Sequence, residues 1–149
     1  MKLNYKTGDF LQNETGILVH GCNTQSIMGA GAAKMVREKY PENYTYYSKC
    51  CSEVAFRTPL GCVIWYNVTD NLKIANALTQ VSPGKNAKSL YVLEAMTDVF
   101  DAAECFGMHV HSVKIGCGIG GLHWDGGVED IFLNLMKAYP HVECTIWEI

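Results

Sequence analysis

The chain has 149 residues, 48% of them hydrophobic and 18% charged, with a formal net charge of −3. This length supports a self-sufficient core and one domain over residues 1–149, and the apolar runs fall far short of a membrane span. The acidic balance argues against bulk nucleic-acid binding, which needs a basic stripe, but leaves room for a single phosphate or diphosphate held by main-chain amides.

The first residues, Met1 to Lys6, lack the apolar core of a secretory signal, so a cytoplasmic protein is expected. Seven scattered cysteines, odd in number and without C-x-x-C spacing, read as reduced thiols rather than a disulfide framework or a zinc site. No exposed apolar stripe demands an oligomer, and a monomer is expected.

Leu3 and Tyr5 alternate with polar residues between Lys2 and Lys6, the pattern of a short strand. Gly8-Asp9-Phe10 marks a turn, in which Asp9 is placed to cap the helical turn through Asn13. Gly16 starts the buried strand Ile17-Leu18-Val19, which ends in His20-Gly21-Cys22-Asn23. Polar residues just past an apolar strand form a first candidate site, because α/β proteins bind ligands beyond the carboxyl ends of their strands.

Met28-Gly29-Ala30-Gly31-Ala32-Ala33 then runs into a helix stopped by Pro41. Such small residues either let a ligand approach the amide-rich helix start or permit tight helix-to-sheet packing. Pro41 to Cys51 predicts a second helix, with Tyr44, Tyr47 and Cys51 on one face as core. Leu60 to Val68 and Leu72 to Leu78, joined at Thr69-Asp70-Asn71, predict a hairpin.

Ser82 to Asn86 is a loop. From about Ala87, Leu90, Leu93, Val99, Ala103 and Phe106 mark a long helix that Gly107 ends. Val110 to Ile115 is the next strand, Val128 to Met136 a last helix closed by Pro140, and Val142 to Trp147 a final strand. This alternation implies a sheet with helices on both faces, and the hairpin makes the sheet mixed.

The segment Lys114-Ile115-Gly116-Cys117-Gly118-Ile119-Gly120-Gly121-Leu122-His123-Trp124 stands out for its glycines. A run of exposed N–H groups there can wrap an anion, and a mere linker would not carry Ile119, Leu122 and Trp124. The G-x-G-x-x-G at Gly116, Gly118 and Gly121 lacks the βαβ units that a dinucleotide fold needs after it. His123 stands where a cysteine phosphatase would need an arginine after Cys117. Gly84-Lys85 is no phosphate loop, because Asn86 replaces the needed Ser/Thr. His109 and His111 share a strand face but have no evident third metal ligand, and no metal is expected.

Taken in order, Gly8-Asp9-Phe10, Val19-His20-Gly21-Cys22-Asn23, Met28-Gly29-Ala30-Gly31-Ala32, Ile74-Ala75-Asn76-Ala77-Leu78-Thr79-Gln80 and Lys114 to Trp124 resemble the macro domain family along essentially the whole chain. The resemblance implies a three-layer α/β/α fold with a mixed, mostly parallel central sheet that binds ADP-ribose without a cofactor. It is nearest to the small branch that includes the yeast-type ADP-ribose-1″-phosphate phosphatase and the terminal ADP-ribose protein glycohydrolase.

By that resemblance Asp9 accepts from the adenine amino group, Phe10 lies beside the base, and Asn23 holds the distal ribose. Gly29, Ala30, Gly31 and Ala32 close on the ligand from one side; Gly116, Cys117, Gly118, Ile119, Gly120, Gly121 and Leu122 close from the other. The glycohydrolase branch resembles a lysine-plus-aspartate mechanism. Here Leu78-Thr79-Gln80 and Gly120 stand at the two positions, leaving Lys85 or Lys88 to reach in from the loop. His20 and Asn23 are then the expected catalytic pair of a phosphatase acting on ADP-ribose-1″-phosphate, with His20 managing protons. De-ADP-ribosylation, deacylation of ADP-ribose derivatives and non-catalytic ADP-ribose reading are the alternatives.

Overall fold

The computed structural model describes residues 3–53 and 59–149, so the expected strand residue Lys2 lies outside the described residues. Among the described residues, six strands form one sheet: β1 (Asn4–Thr7), β2 (Gly16–Asn23), β3 (Val63–Thr69), β4 (Leu72–Gln80), β5 (Val110–Ser112) and β6 (Cys144–Glu148). Their order is β1-β6-β5-β2-β4-β3. All pairings are parallel except the β3–β4 hairpin, the mixed and mostly parallel arrangement expected. β2 is central and reads Ile17-Leu18-Val19 because both its faces are covered.

Helices α1 (Gly31–Lys39) and α2 (Pro41–Ser52) cover one face, and α3 (Ser89–Phe106) and α4 (Glu129–Ala138) the other. Alternation along β2 divides the core between them. Ile17 and Val19 pack with Val92, Met96 and Phe100 of α3 and Phe132 of α4. Leu18 points the opposite way, toward Val36 of α1, while Cys22 on the same side joins Tyr47 and Cys50 of α2.

The α3 stripe differs from the expected one. Val92, Ala95, Met96, Val99, Phe100 and Ala103 are buried, whereas Leu90, Leu93 and Phe106 are exposed. The helix turns to the sheet the arc that carries Met96 and Phe100 among smaller side chains, and the three expected core residues fall outside it. Gly107, at φ 65°, provides the left-handed residue that stops α3. All seven cysteines are free. No helix among the described residues is long and apolar enough to cross a membrane.

Candidate functional site

A cleft of about 540 Å³ opens across the carboxyl ends of β6, β5, β2 and β4. Its floor runs from Trp147 and Val113 past Gly21 and Asn23 to Thr79 and Gln80. One wall is the segment from Gly29 to Ala33 that enters α1, and the other is the loop from Lys114 to Gly120.

Each wall offers donors. Ala30, the residue before α1, has extended backbone and no capping side chain, so the first-turn amides of Gly31, Ala32 and Ala33 stay free. In the opposite loop, Cys117, Gly121 and Leu122 N–H groups donate to Lys114, Gly118 and Gly116 carbonyls. The amides of Gly116, Gly118, Ile119 and Gly120 have no acceptor among the described residues. The turn depends on Gly116 at φ 75°. It also depends on close approach at Gly120, where a Cβ would stand 2.7 Å from Gly116 O, 2.9 Å from Ala87 Cβ and 3.0 Å from Gln80 Oε1. Two opposed sets of unpaired N–H groups suit a diphosphate in an acidic protein.

The expected ligand residues divide. Asn23, Gly29, Ala30, Gly31, Ala32, Gly116, Cys117, Gly118, Ile119 and Gly120 line the cleft, while Gly121 and Leu122 do not. Asn23 is braced: its Oδ1 accepts from Gln25 and Ile27 N–H at 2.9 and 3.3 Å, and its Nδ2 donates to Ile27 O at 2.8 Å. The buried Tyr47 hydroxyl of α2 donates to Asn23 O and, at 3.3 Å, to Oδ1.

Asp9 is exposed and accepts from Leu11 N–H at 2.8 Å, so it caps the 3-10 turn Phe10–Gln12 and lies outside the cleft lining. Phe10 requires a correction. It is fully buried in a cluster with Leu11, Leu18, Val36 and Trp147, and of these five Trp147 is the one that lines the cleft.

His20 requires a second correction. Strand alternation sends its ring away from the cleft into the α1–α2 layer, where it is fully buried. Its Nε2 hydrogen-bonds Asn76 Oδ1 at 2.7 Å, and Asn76 exchanges two hydrogen bonds with Asn43 of α2. Burial lowers its pKa to about 4, so the imidazole stays neutral and enclosed, a structural group rather than a base facing substrate.

Nor do thiols replace it. Burial pushes Cys117 up to about 11 and Cys22 well above its ordinary value, so neither is a thiolate at neutral pH. Gln80 Nε2 donates to the carbonyls of Ser82 and Gly84 at 2.7 and 2.9 Å, which fastens the loop after β4. Asn86 braces the same loop through Val81 and Ser82 N–H. Lys85 and Lys88 are exposed and do not line the cleft. The cation at the rim is Lys114, paired with Glu148 at 3.1 Å.

His109 and His111 stack with ring centroids 4.3 Å apart. They bond Thr145 Oγ1 and Trp147 Nε1, and the described residues contain no group of three or more potential metal ligands. The sequence did not single out Trp147 or Ile149 at the cleft end. Their only signal was a last strand that ends, like β2, at the carboxyl edge of the sheet.

No family model matches the chain. The DNA ADP-ribosyl glycohydrolases of Mycobacterium tuberculosis and Mycobacterium bovis are 28% identical over 149 aligned residues, 97% of this chain. The chain spans 42% of their length. The ADP-ribose 1″-phosphate phosphatase of Scheffersomyces stipitis is 33% identical over 57 residues, 34% of this chain and 33% of that protein. Among solved structures, the macrodomain of Mycobacterium tuberculosis DarG superposes with a TM-score of 0.85 at 25% identity, covering 99% of this chain and 98% of that one. Thermosipho africanus DarTG in complex with ADP-ribose gives 0.80 at 17% identity over 98% of this chain and 42% of that one, a likeness of fold.

Proposed function

The chain belongs to the macro domain family, and on that footing we propose that its cleft binds ADP-ribose and hydrolyses the terminal phosphate of ADP-ribose-1″-phosphate. The observation that supports this reading is the pair of opposed amide sets, Gly31 to Ala33 against Gly116, Gly118, Ile119 and Gly120, in a cleft whose described lining holds no charged side chain other than the Lys114–Glu148 pair at its rim. The diphosphate lies across these amides, the adenine toward Trp147 and the distal ribose toward Asn23 and Thr79.

Phosphoryl transfer is the hydrolysis least dependent on a side-chain base, because positioning and charge stabilisation carry most of it. Water attacks phosphorus as the P–O bond to the ribose breaks, and the attacking water's proton passes by way of a phosphoryl oxygen to the departing ribose oxygen, so that ADP-ribose and hydrogen phosphate leave with no side-chain acid or base. Loop amides stabilise the charge on the equatorial oxygens. His20 has no part in this scheme, and Asn23 acts by positioning.

Removal of ADP-ribose from DNA is the second reading, favoured by the relatives that align along the whole chain and by Lys85, which packs against Gly121. Both substrates should be offered to the same preparation. Phosphate release from ADP-ribose-1″-phosphate supports the first reading, and free ADP-ribose from modified DNA the second. Calorimetric binding of ADP-ribose without turnover of either leaves a reader, and absence of binding refutes all three.

A further inference from the structure

Thr79 combines three observations. Its Oγ1 is a buried side-chain oxygen without any hydrogen-bond partner among the described residues, although Thr79 lines the cleft floor. It is also the extra residue of a β-bulge. Cys22 pairs with Leu78 and Asn23 with Gln80, which leaves Thr79 unmatched on β4. Finally, the neighbouring strand carries no side chain beside it. A Cβ on Gly21 would stand 3.1 Å from Thr79 Oγ1, 3.3 Å from Ile115 Cγ1 and 3.8 Å from Gly116 N.

Each feature costs stability in the ligand-free protein. An orphaned buried hydroxyl loses its hydration without compensation, a bulge removes ladder hydrogen bonds, and a strand glycine forgoes side-chain packing. Bulges re-aim side chains, and here the space left bare beside Gly21 is bordered by the Thr79 hydroxyl and by the Gly116 amide, which has no acceptor among the described residues. The site therefore holds one group able to donate and accept, next to one that only donates. A sugar hydroxyl matches that combination, since it too can donate and accept. A diphosphate oxygen at neutral pH only accepts and is served already by the loop amides.

We infer that the Thr79 hydroxyl is a positioning group that hydrogen-bonds a hydroxyl of the ligand's distal sugar and sets that sugar's orientation at the β4 end of the cleft. This inference rests on the ADP-ribose reading above. It adds a side chain that reads the sugar, whereas the diphosphate is read by main chain alone. Lys88 N–H donates to Thr79 O at 3.1 Å, so the residue that presents the hydroxyl is tied to the start of α3.

Calorimetry on wild type, Thr79→Val and Thr79→Ser, each titrated with ADP-ribose and with ADP, tests the inference. ADP lacks the distal sugar and keeps the adenosine and diphosphate. Thr79→Val should weaken ADP-ribose binding about tenfold, the loss of one hydrogen bond. ADP binding should be unchanged, and Thr79→Ser should restore the ADP-ribose value. The ligand-free Thr79→Val protein should melt no lower than wild type, because it loses only an orphaned hydroxyl. ADP-ribose binding equal to wild type in Thr79→Val, or an equal loss for both ligands, overturns the role of Thr79 and leaves the ADP-ribose reading intact. Failure of wild type to bind ADP-ribose overturns both.

Discussion

Gly118 and Gly120 lie two residues apart in the same loop, yet alanine should have opposite effects at the two positions. At Gly118 nothing stands within 4 Å of an added methyl, so alanine meets open space. At Gly120 the methyl meets Gly116 O at 2.7 Å and Ala87 Cβ at 2.9 Å, and neither atom can rotate away. Relief requires the loop to move off the start of α3, where Ala87 N–H donates to Gly120 O. Overpacking of this kind costs about 1–3 kcal/mol. For a chain of this size each kcal/mol lowers the melting temperature by roughly 2–4 °C. Gly118→Ala should instead gain about 0.4–1 kcal/mol, because alanine restricts the unfolded chain. Urea denaturation and ADP-ribose calorimetry on both variants measure the contrast, with Gly120→Ala also losing about tenfold or more in affinity as its amides leave register. Equal stability and equal affinity in the two variants would refute the reasoning. The same clash means that Gly120→Asp displaces the loop instead of installing a working carboxylate.

His20→Leu should lower stability by about 1–3 kcal/mol, since Asn76 loses a buried partner, while ADP-ribose affinity stays within about twofold; denaturation and calorimetry separate the two effects. Tyr47→Phe removes the hydroxyl that holds Asn23, and should cost about 1–2 kcal/mol while weakening ADP-ribose binding measurably in a titration. Stability should also depend on pH. Both His20 and His111 are held near 4, below their unfolded value of 6.5, so the unfolded chain binds more protons below that value. Their contribution is complete above about pH 6.5 and is lost toward pH 4, each adding a slope of up to about 1.4 kcal/mol per pH unit. Urea midpoints between pH 7 and pH 5 should fall, and His20→Leu should flatten the curve.

Much of the architecture was legible because its signals are local. The buried run Ile17-Leu18-Val19, the hairpin at Asp70-Asn71 and the stops at Pro41, Gly107 and Pro140 each act within a few residues. The cleft walls were legible for the same reason: Gly29 to Ala32 and Gly116 to Gly120 need little besides their own backbone. His20 was not. In a strand covered on both faces, polarity at its end does not reveal which alternate side chain turns to the cleft, and the deciding partners, Asn76 and Asn43, come from other elements. Phe10 was misread for a similar reason, since its turn is local but the Leu18 and Val36 packing that encloses it is not. Leu90, Leu93 and Phe106 show that hydrophobicity alone does not fix the buried arc of a helix. Thr79 was least accessible of all, because a bulge is a property of two strands in register.

The last strand of the chain lies between β1 and β5 rather than at an edge. During synthesis β1 therefore waits without the one strand it pairs with among the described residues until residues near 148 have left the ribosome, a separation of about 140 residues. Trp147 arrives at the same moment and supplies one end of the cleft floor. A chain that stops before β6 therefore lacks both the sheet closure and that end of the cleft floor, and it leaves the β1 edge unpaired and open to aggregation.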